Sequence, residues 1–268
     1  MEDTKKVAAL GITILLVLAV VLAVYLVFFR PGDEGPPPES SAPAEKAASS
    51  EPLEADIPDF SGTTLSASDD LFRSLVGELS SHPRAGDWLP ASDIILKVAA
   101  AVDAVAEGRS PARQIDFFFP QEPFKVRTAR GRDDLDPASY ERYAPAAEVF
   151  ISLSARDCVR FYKGLKPLFQ EAYRELGYPD RDFDATLKQA LFELLAVPVV
   201  EGDIRLEKKV KTYMFADPAL ERLSEAQKHF LRMGPESVAA VQIKLREMAL
   251  ALGEPAESLP PPKTITAR

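Results

Sequence analysis

The hydrophobic and polar positions divide the chain into three parts. Residues 7–29 form an apolar run, VAALGITILLVLAVVLAVYLVFF, that contains no charged side chain. Residues 30–59 contain very few large apolar side chains, whereas from Phe60 onward apolar residues recur at the three- and four-residue spacing of amphipathic helices. This pattern predicts a membrane-spanning helix, then a linker, and then a folded helical domain.

The apolar run is long enough to cross a bilayer. At about 1.5 Å per residue it makes a helix about 34 Å long, against a hydrocarbon core of about 30 Å. A cleaved signal peptide has a shorter apolar region and a site of small residues, but residues 24–29 are bulky throughout. A buried core helix would show a polar face, which this run lacks. We therefore interpret residues 7–29 as a retained transmembrane anchor.

The charges that flank the span predict its orientation. Lys5 and Lys6 precede the span, and only Arg30 follows it closely. Under the positive-inside rule, this bias of two to one places residues 1–6 in the cytoplasm. The protein is then a single-pass protein of the inner (cytoplasmic) membrane, and its C-terminal domain lies in the periplasm.

Two segments are expected to be disordered. Residues 30–59 are rich in proline, serine, alanine and acidic residues, so they bury too little apolar surface to offset the entropy of folding. This linker is interpreted as a spacer, with a partner-binding segment as the alternative. The tail, residues 254–268, contains a proline run at 260–262 and is also predicted to be disordered.

The folded part, residues 60–253, is predicted to be mainly α, with about seven helices. Helix starts are indicated by cap signals, namely Asp136-Pro137, Ser154, Asp182 or Asp184, Asp217-Pro218 and Ser224. A break is expected at Pro145. One or two small β-hairpins are predicted as well, from residues 115–119 with 124–128 and from residues 203–215 around a turn at 207–209.

Charge and cysteine content narrow the range of functions. The formal net charge of −9 disfavours nucleic acid as a partner, because nucleic-acid binding needs a basic surface. Cys158 is the single cysteine, so the chain has no internal disulfide. Since Cys158 begins an apolar helical stripe, we expect it to be a small buried side chain.

No catalytic, cofactor-binding or metal-binding residue is predicted. Asp180, Asp182 and Asp184 occupy the first, third and fifth positions of a calcium-loop pattern, but Ala185 stands where that loop needs glycine. Helix capping is therefore the preferred interpretation of these aspartates. The two histidines and Cys158 lack the spacing of zinc ligands, and neither a glycine-rich phosphate loop nor a Gly-x-Ser-x-Gly elbow occurs.

Four residues are candidates for an interaction surface: Tyr140, Arg142, Tyr143 and Tyr173. Tyrosine and arginine often anchor interfaces, and in this protein they would line a groove for a peptide or a glycan. The alternative is a core edge at which the hydroxyl groups reach the surface.

The portion from Trp88 to Leu252 resembles the bacterial family DUF3014. The matching stretches are Arg142-Tyr143, Leu165 with Pro167-Leu168, Ala172-Tyr173 with Leu176-Gly177-Tyr178-Pro179, Phe215-Ala216-Asp217-Pro218 with Leu220-Glu221, and Gln227-Lys228 with Leu231-Arg232-Met233-Gly234-Pro235-Glu236. This chain has Ser237 where an asparagine is expected. The resemblance implies a short, single-span membrane protein of bacteria, and it implies no activity.

Two functional hypotheses follow. The first is a non-enzymatic interaction or scaffold module that is tethered to the membrane through residues 7–29 and binds another envelope protein or a glycan. The second is an envelope hydrolase or glycan-processing enzyme whose acidic pair is assembled by the fold. A deep pocket with two carboxylates of raised pKa would favour the enzyme, and a shallow apolar Tyr/Phe surface would favour the interaction module.

Overall fold

The computed structural model of the chain describes residues 57–60, 62–80, 82, 92–114, 120, 122–129, 131–210 and 212–267. The predicted membrane span at 7–29 lies outside these ranges, as do residues 1–6 and the predicted linker up to residue 56. No helix within the described ranges has both the length and the apolar character that a membrane crossing requires.

The described part of the chain is mainly helical, as the sequence predicts. Its nine α-helices are α1 (Ser68–Leu79), α2 (Ile94–Ala106), α3 (Ala138–Glu141), α4 (Ala144–Ser152), α5 (Ala155–Glu175), α6 (Phe183–Leu195), α7 (Pro218–Glu221), α8 (Glu225–Leu231) and α9 (Pro235–Leu252). Two differences explain why this number exceeds the expected seven. The short α7 adds one helix, and the helix predicted to begin at Asp136-Pro137 is divided into α3 and α4.

Local capping explains where several helices begin. Asp182 caps α6 and Asp217 caps α7, each by accepting a backbone N–H two residues ahead, at 3.3 and 2.7 Å. Ser224 and Gln227 form a reciprocal capping box at the start of α8, and Ser154 caps α5. These starts agree with the sequence signals, because a cap depends only on residues within one turn.

The predicted break near Pro145 separates α3 from α4. Helix α3 ends at Glu141, and Pro145 lies in the first turn of α4. Proline has no N–H to donate, so it fits the first turn of a helix and disrupts a helix interior. The break leaves Arg142 and Tyr143 at a corner between the two helices.

Six short strands complete the regular structure that is described. They are β1 (Val126–Ala129), β2 (Arg132–Leu135), β3 (Val199–Glu201), β4 (Arg205–Lys208), β5 (Tyr213–Phe215) and β6 (Thr264–Thr266). Strands β1, β2, β4 and β5 form one antiparallel sheet in that order, so the two hairpins are joined through β2 and β4.

Both hairpins differ in register from the sequence-based prediction. Glu207 and Lys208 pair with Met214 and Tyr213 as strand residues, so the turn predicted at 207–209 lies instead between β4 and β5. In the other hairpin β1 pairs with β2, because Gly131 at φ 72° makes a tight turn between them. The predicted strand at 115–119 lies outside the described residues.

The tail is ordered from residue 254 to residue 267, contrary to the expected disorder. Strand β6 pairs in parallel with β3, Val199 donates a backbone hydrogen bond to Lys263 O at 2.8 Å, and Leu259 is buried. Arg246 of α9 also donates to the carbonyl of Pro260 at 2.6 Å. The proline run limits helix formation but leaves an extended segment free to pair with a strand edge.

The buried apolar residues form two main clusters. One lies between the antiparallel sheet and helices α6, α8 and α9, and it includes Leu135, Leu206 and Phe215 from alternate strand positions. The other lies among α1, α2, α5 and α6, where the rings of Phe169 and Phe183 stack at 5.2 Å. These clusters fix the α3–α4 corner and the α8–α9 junction, which together build the candidate site.

Candidate interaction surface

Three of the four predicted interaction residues come together and the fourth does not. Tyr140, Arg142 and Tyr143 lie at the α3–α4 corner. Tyr173 is fully buried in the helical cluster, where it donates to Asp103 at 3.0 Å and accepts from Thr186 at 3.1 Å. Tyr173 therefore does not belong to an exposed surface, because its hydroxyl group is satisfied by other helices inside the core.

Helix α3 holds the preceding extended segment in place. The buried Ser139 hydroxyl accepts from Lys125 N at 2.8 Å and donates to Lys125 O at 2.9 Å. Arg142 adds two further bonds, from Nη1 to Glu122 O at 2.7 Å and from Nε to Ser139 O at 3.0 Å. These bonds place Phe124 next to the corner.

The guanidinium of Arg142 lies between two aromatic rings. Its central carbon is 5.7 Å from the ring centre of Phe124 and 5.3 Å from that of Tyr143. Such stacking is favourable for arginine because the planar cation is weakly hydrated. Arg142 is thus fixed by carbonyl oxygens and ring faces, and no described carboxylate lies within 4 Å of it.

The α8–α9 junction packs directly against this corner through Gly234. The glycine adopts φ 86°, and a Cβ added to it would lie 2.6 Å from Cγ of Tyr140. Any side chain at this position would be strained and would also overlap the ring. Burial raises the pKa of Tyr140 to about 12, with a further contribution from Asp203, so its hydroxyl stays protonated at neutral pH.

His229 lies beneath the corner. Its ring meets Tyr143 edge to face with 6.0 Å between ring centres, and its Nδ1 lies 3.3 Å from Ser110 Oγ. Burial lowers the pKa of His229 to about 4, with additional effects of Arg232 and Arg142, while Glu225 acts in the opposite direction. His229 is therefore neutral at pH 7, and both arginines lie close enough to influence it.

Arg232 supplies the second cation of the site. Its guanidinium carbon is 5.9 Å from the ring centre of Phe215. The nearby Glu221 is engaged elsewhere, since it accepts from Phe215 N at 2.9 Å and pairs with Lys228 at 3.2 Å. Burial acts to raise the pKa of Glu221, but the Phe215 amide and Lys228, with a further contribution from Arg232, outweigh it, so the pKa is lowered and the group stays charged.

We call this set of residues the arginine–aromatic surface: Phe124, Tyr140, Arg142, Tyr143 and Arg232. Its two guanidiniums are partly exposed, and within the described residues neither lies within 4 Å of a carboxylate. The surface presents positive charge on an aromatic base, in a chain whose formal net charge is −9. This arrangement can bind an anionic group through charge-assisted hydrogen bonds.

A second polar region, the outer sheet cleft, lies on the solvent side of the antiparallel sheet. It has a volume of about 790 Å³ and is lined by residues that include Arg127, Arg132, Asp134 and Asp203. Arg127 pairs with Asp203 at 2.8 Å, and Arg132 pairs with the buried Asp134 at 3.0 Å. Asp203 is paired with arginine, and Asp134 is paired through Oδ2 while its buried Oδ1 accepts no hydrogen bond, so the cleft does not present two free carboxylates for general acid–base chemistry.

Two of the three aspartates in the calcium-loop pattern have a role in the fold. Asp182 is the cap of α6, and Asp184 accepts hydrogen bonds from the Tyr162 hydroxyl and from Lys166. Across the described residues, no three His, Cys, Asp or Glu side chains are grouped so that they could hold a metal ion. Burial, followed by Asp157, raises the pKa of Cys158 to about 11, so its thiol is protonated at neutral pH.

Sequence reasoning missed Phe124, His229 and Arg232 as members of this site. They come from different parts of the chain, and only the fold brings them to the α3–α4 corner. One signal was present, because Arg232 lies inside the stretch Leu231–Glu236, on which the family resemblance chiefly rests. Another was Asp103, an acidic residue in the apolar pattern of α2, which marks the buried partner of Tyr173.

Comparison with known proteins gives one result. The chain matches a family model described as "Protein of unknown function (DUF3014)" over residues 94–249, which is more than half of its length. No curated protein and no solved structure matches the chain. The matched residues include the α3–α4 corner and the α8–α9 junction, so the whole arginine–aromatic surface lies within the family region.

Proposed function

Because this chain belongs to the DUF3014 family, a family of unknown function, we propose its role from its sequence and its geometry: it is a membrane-anchored interaction module. Residues 7–29 hold it in the inner membrane, residues 30–59 act as a spacer, and the helical domain lies in the periplasm. The arginine–aromatic surface binds an acidic segment of another envelope protein. The apolar run and its flanking lysines support the anchor and its orientation.

The observation that carries this proposal is the state of the two arginines. Arg142 and Arg232 are partly exposed and have no carboxylate within 4 Å in the described part of the chain. Arg142 is also fixed before binding, by two backbone carbonyls and two aromatic rings. A pre-ordered guanidinium loses little side-chain entropy when it pairs with a partner carboxylate.

A protein partner uses this surface more fully than a neutral glycan does. Guanidinium groups pair in a bidentate manner with carboxylates, whereas sugar hydroxyl groups form weaker neutral hydrogen bonds. Tyr140 and Phe124 add an apolar area next to the charges, which is typical of protein interface anchors. An acidic peptide segment supplies both kinds of contact.

The enzyme hypothesis is less well supported. It requires a pocket with two carboxylates available for proton transfer. The outer sheet cleft does contain carboxylates, but Asp134 and Asp203 are paired with arginine, and Asp133 accepts from Thr128 at 2.6 Å. Their arrangement stabilises the sheet face, so we favour binding over catalysis.

The binding proposal is tested by site-specific crosslinking in cells. A photo-reactive residue at the exposed position 141 of the full-length protein would be irradiated in intact membranes and the products separated by mass. We expect a discrete crosslinked envelope protein, and we expect the combined variant Arg142→Ala/Arg232→Ala to lose it. Arg127→Ala in the outer sheet cleft is the matched control and should keep it. Absence of a discrete product, or a product unaffected by the double variant, would contradict the proposal.

Topology is tested separately. A reporter that is active only outside the cytoplasm, fused after Arg268, should be active, and exchange of Lys5 and Lys6 for glutamate should weaken that preference. Activity of a cytoplasm-only reporter at the same position would reverse the orientation.

A further inference from the structure

An apolar cavity lies in the helical part of the domain. Its lining includes no residue of the arginine–aromatic surface or of the outer sheet cleft. It has a volume of about 360 Å³, is open to solvent on one side and is lined by side chains of α1, α2, α4, α5 and α9. Representative walls are Leu75, Val98, Val149, Leu165 and Met248, one from each helix. Binding pockets for small molecules begin at about 300 Å³, so this cavity falls within their range.

A second cavity adjoins the first. It has a volume of about 170 Å³ and reaches Leu252 at the end of α9. The two cavities share five wall residues, which are Val98, Cys158, Tyr162, Phe169 and Met248. The walls of both follow α5 from Cys158 to Phe169, about 16 Å at about 1.5 Å per residue, so the apolar lining is elongated along this helix.

The walls contain almost no polar group. Cys158 and Tyr162 are the polar residues that line the two cavities, and the Tyr162 hydroxyl already donates to Asp184. Water in contact with this lining finds few hydrogen-bond partners. Covering apolar surface of this kind is favourable, because it removes that surface from water. A space of this size and lining therefore suits an apolar molecule.

We propose that these two cavities form a binding site for a single acyl chain, from a fatty acid or a lysophospholipid. The elongated space suits a linear chain better than a compact ring system, and the inner walls offer no polar group that would orient a heteroatom. The head group would stay at the opening, in contact with solvent. This site is separate from the arginine–aromatic surface, so it does not depend on the proposed function.

Cys158 provides a direct measurement of occupancy. It is the only cysteine of the chain, and it lines both cavities. The full-length protein in nanodiscs of two-chain lipid would be treated with N-ethylmaleimide, with and without lauric acid or a twelve-carbon lysophosphatidylcholine. At a ligand concentration near ten times its Kd, occupancy should slow the modification of Cys158 about tenfold.

Two controls separate a site from a general lipid effect. In the variant Cys158→Ser/Val210→Cys the thiol lies at a fully exposed position (99 % for Val210), so neither lipid should change its reaction rate. The variant Ala146→Phe places a ring into the cavity and should abolish the protection of Cys158. Ala256→Phe makes the same change at an exposed position and should leave the protection intact. Ala146→Leu serves as a smaller filling variant, should Ala146→Phe fail to fold.

The results show whether the bound acyl chain belongs to a fatty acid or a lysophospholipid, and whether the proposal is correct. Protection by lauric acid alone identifies a fatty acid site, and protection by both lipids identifies a site that also accepts a lysophospholipid. Either result supports the proposal if the filling variants lose the effect. If neither lipid slows the modification, or if the filling variants are protected as well as the native chain, the proposal is wrong.

Discussion

The outer sheet cleft and the arginine–aromatic surface both present arginine, but they use it in opposite ways. In the cleft Arg127 and Arg132 are bound to Asp203 and Asp134 at 2.8 and 3.0 Å, so their charges are neutralised within the domain. At the surface, Arg142 donates to backbone carbonyls and Arg232 lies over the ring of Phe215. Carbonyls and rings position a guanidinium without cancelling its charge.

This difference shows that cleft size is a poor guide to function in this protein. The cleft has a volume of about 790 Å³, yet two of its arginines, Arg127 and Arg132, already bind Asp203 and Asp134. No such cleft is needed at the arginine–aromatic surface, where neither cation has a carboxylate within 4 Å among the described residues. The availability of charge, more than the volume of a depression, distinguishes a binding surface from a structural one.

The largest effect is expected for Gly234→Ala, which tests how closely the α8–α9 junction packs against Tyr140. The new Cβ would meet the Tyr140 ring at 2.6 Å, and φ of 86° strains any L-residue. We expect a loss of about 4 kcal/mol in the free energy of unfolding, combining backbone strain with overpacking. Denaturant titration of the full chain measures it.

Gly253→Ala is the matched control for this change. Gly253 also has positive φ, 98°, but an added Cβ would meet no atom within 4 Å. Gly253→Ala should therefore lower the free energy of unfolding through backbone strain alone, by about 1–2 kcal/mol. Equal losses in the two variants would mean that Tyr140 does not pack on Gly234 as described.

The second test uses the buried neutral His229 at the base of the surface. In the unfolded chain histidine has a pKa near 6.5, whereas burial, Arg232 and Arg142 lower the pKa of His229 to about 4 in the fold. Between these values the unfolded state binds more protons, so stability is fully present above pH 6.5 and is lost as the pH falls towards 4. The loss should approach 3 kcal/mol, since one pKa unit corresponds to about 1.4 kcal/mol.

A comparison of variants isolates the contribution of His229 from that of titrating carboxylates. His229→Gln should lessen the loss of stability between pH 6.5 and pH 4.5, measured by denaturant titration at each pH. An unchanged pH dependence in His229→Gln would mean that this histidine is not held neutral.

The third test concerns the cleft. Asp134→Ala removes the buried carboxylate that binds Arg132, while Glu207→Ala removes an exposed one. We expect Asp134→Ala to lower the free energy of unfolding by about 2 kcal/mol. This is less than the loss for a fully buried ion pair, because Arg132 is half exposed. Glu207→Ala should lower the free energy of unfolding by about 0.5 kcal/mol or less. A negligible loss of stability in Asp134→Ala would mean that the ion pairs of the cleft do not stabilise the fold.

The smallest effect is expected for Arg232→Ala. Arg232 has no ion pair within the described part of the chain, so its removal should change the free energy of unfolding by about 0.5 kcal/mol or less. Binding should respond strongly, as measured by the yield of the crosslink at position 141. A large loss of stability instead would show that Arg232 is a structural residue like Arg132, and the contrast between the two regions would fail.

Local signals in the sequence were sufficient for most of the helices. The cap residues Ser154, Asp182, Asp217 and Ser224 mark helix starts because each bond lies within three residues of the cap. The sheet is harder to predict from the sequence, because the pairing of β2 with β4 joins segments about 70 residues apart. Strand register depends on such distant partners, which periodicity in one segment does not reveal.

The site illustrates the same limit. Tyr140, Arg142 and Tyr143 were identified because they are adjacent in the sequence and of interface type. Tyr173 shares their residue type, but its partners Asp103 and Thr186 place it in the core. Residue type and adjacency do not single out Arg232, because its relation to Tyr143 arises only when α8 packs against the α3–α4 corner.

The pairing of β6 with β3 means that the family region and the structural domain do not share a boundary. The family match ends at residue 249, whereas Thr264–Thr266 covers the edge of β3 and Leu259 is buried in the core beside it. A fragment cut at the family boundary would expose the unpaired N–H and C=O groups of Val199–Glu201 together with apolar surface. Such an edge pairs readily with another copy of itself, so the last fourteen described residues protect the domain against edge-to-edge association.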